Sequence, residues 1–238
     1  KVASLLEITG MAQKNGAVFA HLKISDERGA LHSVRLGPGA ADLLLGCDLV
    51  AASGAETLAA LTPGKSSAVV NQHETMTPDF LRSPDLKFPG QALINALKNA
   101  TSPDRSHVLE ATKFATSLLG DSIATNLFLV GYAYQLGLIP LTSTSIVAAI
   151  ELNGVAIEFN KNAFAWGRQA AYDIELVQEA AGQAEDPTLD DRPLIDQFAD
   201  ELITYQDEAY AARYRALITR VQLAERTFKK SDLSYIVA

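Results

Sequence analysis

Two glycine-bearing turns, four histidines and a single cysteine are the residues whose chemistry could serve a nucleotide, a metal or a nucleophile. Gly37-Pro38-Gly39 runs into Ala40-Ala41-Asp42, a spacing close to that of a dinucleotide-binding turn. Asp42 stands at the third glycine position, and its carboxylate would repel a pyrophosphate at a helix N-terminus. Pro38 also removes a backbone donor. Pro63-Gly64-Lys65-Ser66 has the ending of a phosphate loop, but Ala59 fills the leading glycine position. Ala68-Val69-Val70 then continues as a strand, where that loop would open a helix. His21, His32, His73 and His107 share no metal-ligand spacing with one another or with Cys47. His21 lies in an apolar stretch that suits a hydrogen-bonded structural histidine. Cys47 reads as a small buried apolar residue. Taken alone, these residues specify an α/β domain and no chemistry.

The elements around them follow from hydrophobic period and punctuation. Residues 1–9 predict a strand, Ala17–Ile24 a second, and Leu31–Leu36 a third that completes a hairpin-like pair. Ala40–Leu45 reads as a short helix, and Cys47–Ala52 as a buried parallel strand between Gly46 and Gly54. A helix at Glu56–Ala60 and a buried strand at Ser67–Asn71 follow, then a Pro- and Asp-rich loop from Glu74 to Pro89. Gln91–Asn99 is helix-favouring, His107–Leu118 supplies a strand and a helix, and Ser122–Leu136 another helix. Ser143 or Thr144 would cap a helix at Ile146–Leu152, stopped by Asn153-Gly154. Alternating strand and helix predicts an α/β fold, a three-layer doubly wound sheet over residues 1–182. An acidic, proline-marked linker and an α-helical extension then occupy 183–238. One long helix, Ile195 to Ala224, is expected there, with Leu202, Tyr205, Ala209, Ala212, Ala216 and Val221 as its apolar stripe.

Composition narrows the classes. The net charge is -8 over 238 residues, which opposes binding to phosphate backbones and makes nucleic acid an unsuitable partner. One cysteine excludes a disulfide framework and the clustered thiolates of an iron–sulfur centre, and suits a reducing, cytoplasmic setting. Between Asp121 and Glu151 no residue is charged, but Pro140 and several polar residues interrupt the run. Two buried helices fit that stretch better than a membrane span.

Ile8-Thr9-Gly10-Met11-Ala12-Gln13-Lys14-Asn15-Gly16-Ala17-Val18, followed by Ala20-His21-Leu22-Lys23-Ile24, resembles a hallmark of the gamma component of 2-oxoacid:ferredoxin oxidoreductases, in its indolepyruvate-type version. Asn15 replaces a glycine of that pattern and Ala20 a serine. Asn tolerates positive φ, so the loop backbone can survive the change. Further stretches match in family order: Ala41–Val50, Ala149–Gly154, Asn160–Arg168, and Tyr205–Tyr214 in the helical region of the long fused bacterial enzymes. By that resemblance the family's first strand–helix unit is missing before Lys1, and the chain reads as a cut segment.

The resemblance implies a component of an indolepyruvate or aryl 2-oxoacid:ferredoxin oxidoreductase, releasing an aryl-acetyl-CoA and passing electrons to ferredoxin. Thiamine diphosphate, Mg and 4Fe-4S clusters would belong to partner domains of the same enzyme, with no cofactor bound by this segment and no catalytic residue or metal ligand in it. Gln13, Lys14, Asn15 and Gly16 are the expected contacts to coenzyme A or substrate, since a glycine-bearing loop presents backbone N–H groups and Lys14 a cation. An interface loop without a ligand is the competing role. Asn160, Asn162 and Arg168 are expected at an interface, with Arg168 paired to a carboxylate there or within the domain. Phe164 and Trp166 are expected to pack rather than touch substrate. The alternative from a different class is a non-catalytic interaction or regulatory module of the same fold.

Overall fold

Strand β4 (Ser67–Asn71) is buried at all five positions, as a short apolar run walled on both faces must be. The computed structural model containing it describes residues 1–9, 18–74, 88–183 and 192–228. Strands β3 (Leu43–Gly46) and β5 (Ser106–Leu109) flank β4, all parallel, in the order β3-β4-β5. Side chains alternate across a strand, so Ala68 and Val70 face one layer and Val69 the other. The first layer holds α1 (Leu49–Ala52), α2 (Ala55–Ala59) and α3 (Gly90–Thr101), which contribute Leu49, Ala52, Leu58, Leu93 and Leu97. The second holds α4 (Ala111–Leu119), α5 (Thr125–Gln135), α7 (Ile157–Tyr172) and α8 (Ile174–Gln183). Helix α6 (Ser143–Asn153) lies between α5 and α7 in sequence. The result is an α/β domain with helices on both faces of a parallel sheet.

Helices α5 and α7 meet backbone to backbone. A Cβ on Gly131 would lie 2.1 Å from Phe164 O, and one on Gly167 would lie 1.9 Å from Phe128 O. Only glycine permits that approach. It carries Phe128 and Leu129 wholly into the core, each stabilising the fold by about 1.5–3 kcal/mol.

Strands β1 (Val2–Thr9) and β2 (Val18–Ser25) pair with each other in a separate antiparallel sheet. Leu5 stands directly opposite Leu22, and both are more than half exposed. His21 Nδ1, on the other face, accepts from Leu36 N–H at 2.9 Å and so has the structural role expected of it.

Several expected elements differ. Leu31–Leu36 forms no strand, and β2 pairs instead with β1. The expected helix at Ala40–Leu45 gives way to β3, and the expected strand at Cys47–Ala52 to α1. Period alone does not separate a short buried strand from a short buried helix. The cap decides here: Asp48 Oδ1 accepts from Ala51 N at 2.7 Å and starts a helix two residues after the strand ends. Helix α6 is capped by Thr142, not by the expected Ser143 or Thr144, and ends at Gly154 with φ +72°. The uncharged stretch after Asp121 is divided between α5 and α6, and among the described residues no helix is long and apolar enough to cross a membrane.

Contacts divide the chain into residues 1–185 and 186–238. The second unit is a helical hairpin of α9 (Leu194–Tyr205) and α10 (Glu208–Phe228) where one long helix was expected. Asp207 breaks the run, because its Oδ1 accepts from Tyr210 N at 2.8 Å and begins a new helix. The break resets the register, so Ala199, Ala211 and Ile218 are buried, while Tyr205, Ala209, Ala212 and Ala216 of the expected stripe are exposed.

Candidate functional site

In parallel α/β sheets the space outside the carboxyl ends of the strands is where ligands gather. Three chain segments leave β3, β4 and β5 there, and Asn71 ties them together. Its Nδ2 donates to Cys47 O at 3.1 Å and to Thr112 Oγ1 at 2.8 Å. Its Oδ1 accepts from Thr112 N at 3.3 Å and His73 N at 3.4 Å. The amide is buried, at 3% exposure, and all its hydrogen-bonding groups are engaged. Thr112 Oγ1 continues the chain to Thr125 Oγ1 at 3.3 Å, which donates to Ser122 O at 2.6 Å. Outside this knot Gln72 Nε2 donates to Glu110 Oε1.

Gly46 makes the crossing of β3 and α1 possible, since a Cβ there would meet Ala52 Cβ at 2.7 Å. Cys47 follows it and is not the buried residue expected, since part of its surface is exposed. Burial by the surrounding protein, and then the Asp48 carboxylate, push its thiol above the ordinary 9.0. It remains a thiol at neutral pH, a poor nucleophile. His107, within β5, has its pKa lowered from 6.5 by burial, and its ring lies 6.0 Å from that of Tyr132. This edge offers amide and hydroxyl groups held in fixed positions by hydrogen bonds.

Cys47 is the one cysteine of the chain, so four thiolates for an iron–sulfur cluster do not exist in its sequence. Among the described residues no three His, Cys, Asp or Glu side chains gather to hold a metal ion. Such a cluster does not fit this donor set.

Gln13, Lys14, Asn15 and Gly16 lie outside the described residues. Asn160 Nδ2 donates to Val155 O at 2.9 Å and pins a turn in which Ala156 takes φ +44°, a conformation costly for a residue with a Cβ. Arg168 meets no carboxylate among the described residues. Its Nε donates to Gln135 Oε1 at 3.0 Å, and its guanidinium carbon lies 5.3 Å from the Tyr134 ring centre and 5.9 Å from that of Phe164. Asn160 and Arg168 fall within about 80° of each other around α7, with Asn162 on the far side. Asn162 instead lines a shallow groove with Ala165, Trp166, Gln169 and Leu176. Phe164 is buried and Trp166 half-buried against the second-layer core.

The Asn71–Thr112 knot escaped sequence reasoning. Its one signal was a polar residue closing the apolar run Ala68-Val69-Val70, and the partners lie 24 and 41 positions away.

No curated protein and no solved structure matches the chain. A family model described as pyruvate ferredoxin/flavodoxin oxidoreductase matches residues 3–170, which include the hairpin, the parallel sheet and helices α1 to α6. That match covers well over half of the 238 residues, and the chain belongs to the pyruvate ferredoxin/flavodoxin oxidoreductase family.

Proposed function

We propose that the chain is the gamma-type component of an indolepyruvate or other aryl 2-oxoacid:ferredoxin oxidoreductase, with residues 1–182 as that domain and 183–238 as a helical extension. The family match across residues 3–170 carries this reading. The preference for an aryl acid rests on the resemblance of the Thr9–Ile24 segment to the indolepyruvate-type pattern. Thiamine diphosphate with Mg supplies the decarboxylation chemistry when bound in a partner domain, and clusters in partner domains take the electrons to ferredoxin. This chain's share is positional. The loop Gln13–Gly16 offers backbone N–H groups and the Lys14 cation to the phosphates of coenzyme A. The knot at Asn71 holds the carboxyl edge of the sheet in register. Asn160, Asn162 and Arg168 serve contacts with other domains.

Lys14 tests the reading in the intact oxidoreductase. A lost charge-assisted contact costs about 1.5–3 kcal/mol, roughly ten- to a hundred-fold in affinity. Lys14→Ala is expected to raise the Michaelis constant for coenzyme A by that factor while thiamine diphosphate stays bound. Loosened assembly with all activities falling together would make the loop an interface. Unchanged coenzyme A dependence with intact assembly would remove both roles.

A further inference from the structure

Helix α6 carries one charge along its length, Glu151, and Lys161 of α7 pairs with it at 2.7 Å. A helix apolar or uncharged on every side is ordinarily buried all round. Here only Ile146 and Ile150 are buried. Ser145, Ala148, Ala149 and Leu152 form the opposite stripe, at i, i+3, i+4 and i+7, and all are exposed, Leu152 to 90%. At the start of α6 Ser143 N–H donates to Tyr134 Oη at 3.2 Å, and Arg168 lies over that same tyrosine ring. Gln135 and the two aromatic rings fix the guanidinium through its Nε and its face. Its two terminal nitrogens meet no hydrogen-bonding or ionic partner among the described residues. A fork held this way matches a carboxylate in geometry and charge.

We propose that the α6 stripe and Arg168 form a docking surface for another domain of the oxidoreductase, one that sets a carboxylate on Arg168 and a close-packing apolar face on Ala148, Ala149 and Leu152. This rests on the chain being a component of a multidomain 2-oxoacid:ferredoxin oxidoreductase. The charge points to an acidic complement. The stripe is four side chains long, far short of the roughly 800 Å² per partner that a free-standing dimer buries. It therefore suits one part of a wider contact between domains rather than the whole of a self-association surface.

The test uses the intact oxidoreductase, with arginines labelled by phenylglyoxal and mapped by mass spectrometry. Arg168 is expected to react at least about tenfold more slowly than the exposed Arg220, and Ala149→Trp, which adds bulk to the open stripe, is expected to abolish that protection. Equal labelling of Arg168 and Arg220 in the unaltered enzyme overturns the proposal. So does protection that survives Ala149→Trp, because Gln135 and the two rings would then account for it alone. Protection that disappears on dilution, alongside a halving of mass, assigns the surface to a second copy and also overturns it. An enzyme without 2-oxoacid:ferredoxin activity but with protected Arg168 removes the activity reading and leaves the docking surface standing.

Discussion

Asn71 makes four hydrogen bonds from one amide. Asn71→Leu keeps the branched outline of the side chain and removes the donors and the acceptor. Leaving buried polar groups unmatched costs about 1–3 kcal/mol, so the urea midpoint is expected to fall accordingly. A midpoint equal to that of the unaltered chain would show that the knot contributes nothing to stability. His107 gives a prediction in pH. Burial lowers its pKa, so the fold favours the neutral ring and the unfolded chain binds the extra proton. The stability this provides is complete above the ordinary value of 6.5 and is lost as pH falls from there through the lowered value. His107→Gln is expected to be less sensitive to acidification from pH 7 to pH 5 than the unaltered chain in paired urea melts. Parallel pH profiles would exclude that role.

At the scale of elements, the α5–α7 contact is the sharpest constraint, because backbone oxygen and not a movable side chain faces each glycine. Gly131→Ala and Gly167→Ala are each expected to cost at least about 1–3 kcal/mol, as overpacking does. Gly182→Ala, which meets nothing within 4 Å inside α8, should be neutral or stabilising by about 0.5–1 kcal/mol. Thermal melts of the three variants check the order, and comparable melting temperatures would mean that the helices separate to make room. The same elements show what a sequence can disclose. The strand at Ser67–Asn71 was readable because burial on both faces leaves an unbroken apolar run, and the stop of α6 because Gly154 supplies a left-handed turn. The exchange of helix and strand around Gly46 was not readable, since both segments are short and apolar and one carboxylate cap decides between them. The two-helix form of the extension turned on a similar cap at Asp207. At the carboxyl edge, chemistry depended on residues dozens of positions apart, and the only local hint was that a polar side chain ended the strand.

For the whole molecule, the family supplies a reaction that this chain's own donors do not hold in full. A chain with one cysteine has no set of thiolates for a cubane cluster, so the separately purified polypeptide is expected to be colourless, with iron far below one atom per chain by elemental analysis. Stoichiometric iron would relocate electron transfer into this component. The β1–β2 pair has a consequence of another kind. Among the described residues neither of its edges meets a further strand, and its outward face sets Leu5 against Leu22 in open water. Two strands alone are marginal, and uncapped edges recruit other chains. Recruitment needs two molecules to meet, so its onset rate climbs with the square of concentration. In a cell that makes this polypeptide faster than whatever covers the hairpin, a small imbalance in synthesis becomes a disproportionate loss of material.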